Sequence, residues 1–296
     1  MRTPPFLAEG DTIVLVAPGK AIEKEHIDFA VKYWEQNGFV VEKAPHIINR
    51  DGYFSGNVAT RCQDMQWALD HPTAKAIICA RGGYGAVQLV HRLNWSHFLL
   101  HPKWIVGFSD VTVFHAFAQT NNIASLHATM PLNYAENSTE SLAEHLAFLK
   151  GEKLDIKWAS TATKNGKAEG LLVGGNFAVF QALINTPYFP KMKNKILFLE
   201  EVGEYYYAID RMLHQFALSG ILDDIKGCII GGLTNCNDMK PGYQTPIENI
   251  FLDHFKYRNI PFAMHLPAGH LDHNLPIPFG TNALFEVNNG QATLQF

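Results

Sequence analysis

The sequence predicts an α/β fold whose first part is an open parallel sheet covered by helices. Short apolar runs that are typical of buried strands alternate with segments whose apolar residues recur at helical spacing. Glycine and proline punctuate the boundaries, as in Pro18-Gly19 after the first strand and Gly38 after the first helix. Strand, helix and strand in this order imply right-handed parallel crossovers, which place ligand-binding loops at the carboxyl ends of the strands.

The alternation is clearest in the N-terminal half. Strands are predicted at residues 11–18, 39–41, 76–80 and 104–106, and helices at residues 23–37, 60–69, 87–93, 111–118 and 138–149. In the C-terminal half, strands are predicted at residues 169–173, 195–201, 227–233 and 261–266, helices at residues 176–184, 208–218 and 247–257, and a hairpin at residues 283–296.

Length and composition bound the organisation of the chain. Its 296 residues are many for one core, so two domains are expected. Residues 156–168 are mostly polar or small, and we predict a linker there, between an N-terminal domain of residues 1–155 and a C-terminal domain of residues 169–296.

Composition also limits the classes of function. A net charge of −4 without a basic run gives no reason to expect a nucleic-acid partner. No apolar window approaches a membrane span, and the first residues lack the apolar core of a signal peptide, so we expect no membrane contact and a cytoplasmic location. The four cysteines are scattered, which favours free thiols over disulfides or a metal site.

Ser109 is the first candidate for chemistry. It follows the apolar run of residues 104–106 and precedes Asp110, at a turn from a strand into a helix. Such a turn exposes a hydroxyl at the sheet edge, beside helical N–H groups that can bind an oxyanion. The pattern departs from the hydrolase motif G-x-S-x-G, because Val111 replaces the second glycine. From this stretch alone, Ser109 is equally interpretable as a helix cap that bonds the N–H of Val111 or Thr112.

A glycine-rich loop follows the predicted strand at residues 76–80. Gly82, Gly83 and Gly85 let a backbone approach a ligand closely, but neither phosphate-loop motif is present. The N–H groups of Gly82 or Gly83 are therefore candidate oxyanion donors beside Ser109, or else part of a plain turn. Arg81 either holds a substrate carboxylate in a two-pronged contact or forms a structural ion pair.

Two carboxylates end the predicted strand at residues 195–201. Alternation places Glu200 and Glu201 on opposite faces, and each must pair or face a cleft because an unpaired buried charge is costly. One of them can orient a catalytic histidine, or can form a salt bridge with Arg211. Glu204 is a third candidate.

His270 stands apart from the other histidines, of which the chain has fourteen in all, because it follows Gly269 on a loop after a strand. A loop histidine beside glycine can present its ring to a cleft and take the proton of a serine. His273 is a local rival. A metal site of His270, Asp272 and His273 is disfavoured, since their spacing matches no familiar ligand pattern.

In their order and spacing, these motifs resemble the LD-carboxypeptidase family of serine peptidases, over nearly the whole chain. The motifs that carry the resemblance are Gly52-Tyr53-Phe54-Ser55-Gly56, Arg61, Arg81-Gly82-Gly83-Tyr84-Gly85, Gly107-Phe108-Ser109-Asp110-Val111-Thr112, Gly174-Gly175-Asn176, Leu197-Phe198-Leu199-Glu200-Glu201, Tyr207 with Asp210-Arg211, and Gly269-His270.

The resemblance implies a Ser-Glu-His triad that is shared between two domains. Ser109 is then the nucleophile, His270 the base and Glu200 the residue that orients the base. Glu200 is preferred to Glu201 because the family's glutamate directly follows the apolar strand. One departure is His127-Ala128-Thr129-Met130, where relatives tend to have His-Gly-Pro-Met, so the backbone role of that segment is not carried over.

The resemblance also implies the oxyanion donors, the architecture and the reaction. The donors are the N–H groups of Asp110 and of Gly82 or Gly83. The architecture is a Rossmann- or flavodoxin-like N-terminal domain with a smaller C-terminal α/β domain of the swivelling β/β/α type. The reaction is hydrolysis of the L,D-peptide bond of muropeptides, through an acyl-enzyme, to release terminal D-alanine in cell-wall recycling.

No cofactor or metal is implied, and the expected partner is a small peptide substrate. Family members are often dimers, so a homodimer is a further expectation, with residues 205–207 contributing to its interface. Two alternatives stay open. One is a serine amidase that inactivates peptide-nucleotide antibiotics of the microcin type, and the other is a non-catalytic protein that binds muropeptides in the same cleft.

Overall fold

The protein is built on two β-sheets with helices packed against them, and the computed structural model describes residues 2–296. The strands are β1 Thr12–Val16, β2 Val40–Lys43, β3 Ala74–Cys79, β4 Trp104–Gly107, β5 Ser125–His127, β6 Asp155–Ala159, β7 Thr163–Lys164, β8 Gly166–Asn176, β9 Ile196–Val202, β10 Gly227–Thr234, β11 Phe262–Ala263, β12 Ile277–Phe279, β13 Asn282–Asn288 and β14 Gln291–Gln295. The helices are α1 Lys24–Gln36, α2 Val58–Asp70, α3 Ala86–Leu89, α4 Ser96–Leu100, α5 Thr112–Thr120, α6 Thr139–Leu149, α7 Phe177–Gln181, α8 Tyr206–Leu218, α9 Ile221–Asp224 and α10 Ile247–Phe255. Within residues 2–296, none of these helices has the length and apolar character needed to cross a membrane.

The first sheet confirms the predicted α/β class. Its six strands lie in the order β12-β5-β4-β3-β1-β2, and all pairs are parallel except β12 with β5. The order β2-β1-β3-β4-β5 is that of flavodoxin-like sheets, with a reversal of strand order between β1 and β3. The loops that follow β1, β3 and β4 therefore open into one crevice at the carboxyl ends of the strands.

Local sequence accounts for the elements that frame this crevice. Residues of β1 are buried because helices cover both faces of a parallel sheet. Helix α1 buries Ile27, Ala30 and Trp34, which recur at helical spacing. Helix α2 begins at Asn57, whose side chain accepts a hydrogen bond from the backbone N–H of Thr60 at 3.0 Å.

The second sheet has eight strands in the order β6-β14-β13-β8-β9-β10-β11-β7. Its centre, β8 to β11, is parallel, and the flanking pairs are antiparallel. Strand β9 carries a fully buried apolar run that ends in Glu200 and Glu201. The loop after β11 carries His270, so Glu200 and His270 both lie at the carboxyl ends of parallel strands in this sheet.

The two sheets are joined by a strand and by a direct contact. Strand β12 leaves the His270 loop and pairs with β5 of the first sheet, with Ile277 opposite His127. The backbone N–H of Asn176, at the end of β8, donates to Thr112 Oγ1 at 2.9 Å. These contacts hold the C-terminal half against the first sheet, with the His270 loop beside the Ser109 turn.

The structure corrects the expected linker. Residues 156–168 do not form an open connection, because they supply most of β6, all of β7 and the start of β8 in the second sheet. In β6, Ile156 and Trp158 are buried while their neighbours are exposed, which is the alternation of a strand with one face on the core. Lys157, Thr161, Asn165 and Lys167, which are among the polar residues that suggested a linker, are exposed, whereas Ser160 is buried.

Candidate active site

Ser109 lies on the turn between β4 and α5 with a φ of 62°. Left-handed backbone is uncommon for a residue with a Cβ, and such strain is typical of turns that raise a nucleophile above a sheet edge. In the described chain, no side-chain hydrogen bond caps this turn or α5, so the structure does not support a helix-cap role for Ser109. The residue instead lines a cavity of about 390 Å³.

Gly82 packs directly against the serine. A Cβ at Gly82 would lie 2.9 Å from Ser109 Cβ, 3.1 Å from its Oγ and 3.4 Å from the backbone nitrogen of Asp110. Only glycine permits this approach, which brings the backbone of the β3 loop beside the hydroxyl. The Asp110 side chain is buried and accepts the N–H of Ala86 at 2.9 Å, so its carboxylate is occupied by the start of α3.

His270 and Glu200 form the other half of the site. His270 Nδ1 lies 2.7 Å from Glu200 Oε2, and Glu200 is fully buried while the histidine side chain keeps 20% of its surface exposed. The ring of Phe108, next to the serine, packs edge-on against the imidazole with centroids 4.8 Å apart. His270 lines the same cavity as Ser109.

The electrostatics of this pair favour an ionised carboxylate. Burial raises the pKa of Glu200, but the charge of His270 and the hydrogen bond from His270 outweigh this effect and hold the pKa below its usual value. Burial lowers the pKa of His270, but the charge of Glu200 and its hydrogen bond raise it above the usual value for histidine. Glu200 therefore stabilises the imidazolium that a general base forms when it takes a proton.

The loop that carries His270 is held in place by hydrogen bonds and by the close packing of Gly269. Gly269 has a φ of +115°, and a Cβ there would lie 2.6 Å from Glu200 Oε2, so glycine is required for the carboxylate to reach the ring. The Gly269 N–H donates to Asn274 Oδ1 at 2.8 Å, and Thr234 Oγ1 donates to the His270 carbonyl at 2.6 Å. The imidazole is thus held at a defined position.

Glu201 has a different environment, as the alternation predicted. Its carboxylate accepts hydrogen bonds from Asn176 Nδ2 at 2.9 Å, the Ala178 N–H at 2.7 Å and the Val202 N–H at 2.8 Å. It therefore supports the start of α7. The salt bridge with Arg211 is not formed by either glutamate, because the guanidinium lies over the Tyr207 ring, 5.5 Å from its centroid.

Comparison with known proteins gives the family. Residues 13–128 match the LD-carboxypeptidase N-terminal domain, and residues 169–285 match the LD-carboxypeptidase C-terminal domain. A Synechocystis sp. protein with a provisional carboxypeptidase name is 32% identical over 98% of this chain and 95% of its own. The chain belongs to the LD-carboxypeptidase family. The murein tetrapeptide carboxypeptidase of Pseudomonas aeruginosa is 28% identical over 93% of both chains.

Solved structures agree with this fold. The crystal structure of muramoyltetrapeptide carboxypeptidase from Oxalobacter formigenes superposes with a TM-score of 0.89 at 25% identity, covering 96% of this chain and 98% of that one. The structure of MccF with glutamyl sulfamoyl guanosine gives a TM-score of 0.86 at 18% identity, covering 98% and 97%, which is a likeness of fold. The protein is a serine-type peptidase of this family, and its two mixed sheets are those of an LD-carboxypeptidase.

The cavity of this LD-carboxypeptidase carries two cationic residues, of which the sequence singled out Arg81 but not Lys20. Arg81 lines it, and its Nη1 donates to the Ala21 carbonyl at 3.0 Å, while no carboxylate of residues 2–296 pairs with it. Lys20 brings a second cation to the wall. It directly follows Pro18-Gly19, so its place after the first strand of a doubly wound sheet was a usable signal. The remaining polar wall comprises Tyr53, Asn133, Glu136, Asn137 and Asp272.

His273, the alternative candidate for the catalytic histidine, lies at the surface beside the start of α6. His273 Nδ1 is 2.9 Å from Ser138 Oγ at the surface, so this ring is tied to the start of α6. Among the described residues, the ligand atoms of His270, Asp272 and His273 do not come together at metal-binding spacing.

Proposed function

We propose that Ser109, His270 and Glu200 form the triad of an LD-carboxypeptidase that releases the C-terminal D-alanine of muropeptides. The observation that carries the assignment is the 2.7 Å contact between His270 and Glu200 in the wall of the cavity that Ser109 also lines. A nucleophile, a base and a residue that orients the base are the three parts of serine acyl transfer.

In the proposed reaction, His270 takes the hydroxyl proton while Ser109 Oγ attacks the scissile carbonyl. The negative oxygen is stabilised by the backbone N–H groups of Asp110 and of Gly82 or Gly83, which lie beside the serine. The imidazolium then protonates the leaving D-alanine amine, and an acyl-enzyme remains on Ser109. Water, deprotonated by the same imidazole, attacks the ester and releases the shortened peptide.

The charge distribution of the cavity supports a short peptide with a free carboxylate. Lys20 and Arg81 lie on its wall, and a carboxypeptidase must bind the terminal carboxylate of its substrate. Glu136 and Asp272 supply acidic groups on the same cavity, suited to a free amino group elsewhere on the peptide. We therefore propose that Arg81 and Lys20 hold the terminal carboxylate of the D-alanine.

The names of relatives support the same substrate class. The P. aeruginosa relative is a murein tetrapeptide carboxypeptidase, and the O. formigenes structure is a muramoyltetrapeptide carboxypeptidase. A role in muropeptide recycling accords with a cytoplasmic location, and family members are often dimers. The cytoplasmic location and a homodimer both stay predictions for this chain. The MccF-like amidase is the second candidate, because that fold matches over nearly the whole chain.

The test is to incubate the purified protein with a murein tetrapeptide and to measure free D-alanine. The matched substrate ends in L-alanine, and a sulfamoyl-adenylate conjugate tests the second candidate. Release of D-alanine but not L-alanine, lost in Ser109→Ala, supports the proposal. Cleavage of the conjugate alone would transfer the assignment to the amidase, and tight tetrapeptide binding without turnover would indicate the non-catalytic binder.

A further inference from the structure

A cluster outside the catalytic cavity brings together three groups that commonly bind metals. Asp210 and His214 lie one turn apart on α8, and His254 lies on α10, which packs against α8. His214 Nε2 is 3.7 Å and His254 Nε2 is 3.6 Å from the same oxygen, Asp210 Oδ1. None of the three lines the cavity that holds Ser109.

These distances are too long for hydrogen bonds and close to those between ligands of one ion. Ligands at zinc distances of about 2.0–2.2 Å lie roughly 3.4 Å apart in a tetrahedron. The three ligand atoms all lie within 4.8 Å of one another, so small side-chain rotations complete the geometry. The His214 side chain is 60% exposed and that of His254 is 9% exposed, which gives the cluster one open side.

The surroundings orient the carboxylate of Asp210. The Tyr243 hydroxyl donates to Asp210 Oδ2, so Oδ1 is the oxygen turned to the histidines. Arg258 lines the surface pocket that Asp210, His214 and His254 share, but its Nε donates to Asp223 Oδ1 at 3.0 Å and its Nη1 donates to the His254 carbonyl. The guanidinium therefore makes its hydrogen bonds to acceptors other than the three candidate ligand atoms.

We propose that Asp210, His214 and His254 form a site for one divalent transition-metal ion, with Zn²⁺ as the ion that suits two imidazoles and one carboxylate. The ion would join α8 to α10. It takes no part in the proposed acyl transfer, because its ligands lie outside the catalytic cavity.

The test is titration of the full-length, tag-free, chelator-treated protein with ZnCl₂ by calorimetry. We expect one Zn²⁺ per chain, binding at least tenfold weaker in His214→Gln and His254→Gln, and unchanged binding in His91→Gln, an exposed histidine outside the cluster. His214 is exposed, so its replacement does not depend on refolding a core. No binding by the unaltered protein, or equal affinity in His214→Gln, would overturn the proposal.

A second feature, separate from the metal cluster, is the buried histidine His127 beside Glu200, and the inference from it rests on the proposed function. His127 is fully buried at the end of β5, among the rings of Phe108, Phe198 and Phe279. Neither of its ring nitrogens has a hydrogen-bond partner in the described chain, nor has Glu200 Oε1. His127 Nε2 faces that oxygen at 3.9 Å.

Buried polar atoms are costly without partners, and here two such atoms face each other about 1 Å beyond hydrogen-bond distance. The other oxygen of Glu200 is already bonded to His270. We infer that His127 is a positioning residue, whose Nε2–H closes onto Glu200 Oε1 and fixes the carboxylate so that Oε2 stays on His270.

Two polar variants of His127 separate this role from simple packing. In His127→Gln the amide nitrogen takes the place of Nε2, whereas in His127→Asn it takes the place of Nδ1 and cannot reach Glu200. We expect kcat for the tetrapeptide within threefold of normal for Gln and at least tenfold lower for Asn, with KM unchanged in both. Equal kcat in the two variants, high or low, would refute the role.

A second readout does not require the proposed substrate. The His270 Nδ1 proton bonded to Glu200 gives a downfield proton NMR resonance that reports their contact directly. We expect it to persist in His127→Gln and to broaden or shift in His127→Asn. An unchanged resonance in His127→Asn would overturn the positioning role, even if the enzyme acted on another substrate.

Discussion

Replacing Glu200 with glutamine tests how the buried carboxylate acts on His270. The change keeps the size of the side chain but removes the charge that, with its hydrogen bond, raises the pKa of His270. Burial, which lowers that pKa, then has less to oppose it. Loss of the equivalent charge in a Ser-His-Asp triad lowers turnover by about 10⁴-fold, which corresponds to about 5.4 kcal/mol of transition-state stabilisation.

The pKa of His270 determines the direction in which Glu200→Gln shifts the pH dependence of activity. His270 must be neutral to accept the serine proton, so activity falls as pH drops through its pKa. Because that pKa is raised in the native site, the acid limb of kcat/KM lies above the usual histidine value, and Glu200→Gln moves it to lower pH. The assay is kcat/KM for the tetrapeptide across pH, with Glu204→Gln as the control because Glu204 forms no ion pair within the described chain. An acid limb that stays in place, with turnover near normal in Glu200→Gln, would refute the reasoning.

Three further substitutions test other parts of the site. Gly82→Ala lowers kcat by about 100-fold or more, because the new methyl group displaces Ser109 and the oxyanion donors. The control Gly10→Ala, where the methyl group meets nothing within 4 Å but a φ of +86° strains the backbone, lowers stability and keeps kcat. Arg81→Gln raises KM roughly tenfold for the free tetrapeptide but not for its C-terminal amide, with little change in kcat. Glu201→Ala lowers the free energy of unfolding in urea by about 3 kcal/mol, because three donors lose their acceptor.

The predictions for Gly82→Ala, Arg81→Gln and Glu201→Ala can each be contradicted by one result. Normal kcat in Gly82→Ala would remove the close approach of that backbone from the mechanism. An equal rise of KM for acid and amide would show that Arg81 does not bind the carboxylate. An unchanged unfolding midpoint in Glu201→Ala would mean that its hydrogen bonds contribute little.

The parts of the fold that could be predicted are those with strong local patterns. The buried runs of β1, β3 and β9 and the amphipathic helix α8 were found from apolar spacing alone. Strands β5 and β12 were missed, because three-residue strands that contain serine, histidine or proline carry almost no periodic signal. Their pairing is set by tertiary contact, and it is this pairing that brings the His270 loop to the first sheet.

The site could be predicted in its residue types but not in its geometry. The position of Ser109 after a strand suggested a nucleophile, but the φ of 62° and the absence of a cap could not be seen in the sequence. Glu200 is preferred by family resemblance, and the structure supports this proposal, because Glu201 accepts hydrogen bonds from three other donors. His127 was noted only as part of a departing motif, since its approach to Glu200 depends on how the two sheets meet.

The role of Ser109 as the nucleophile of a muropeptide carboxypeptidase can be measured as the rate of D-alanine release from a murein tetrapeptide. The rate is compared between the unaltered protein and Ser109→Ala. The proposed mechanism predicts release by the unaltered protein and a loss of at least about 10³-fold in the variant, with the fold and tetrapeptide binding retained. Release of D-alanine by Ser109→Ala at a near-normal rate would contradict it.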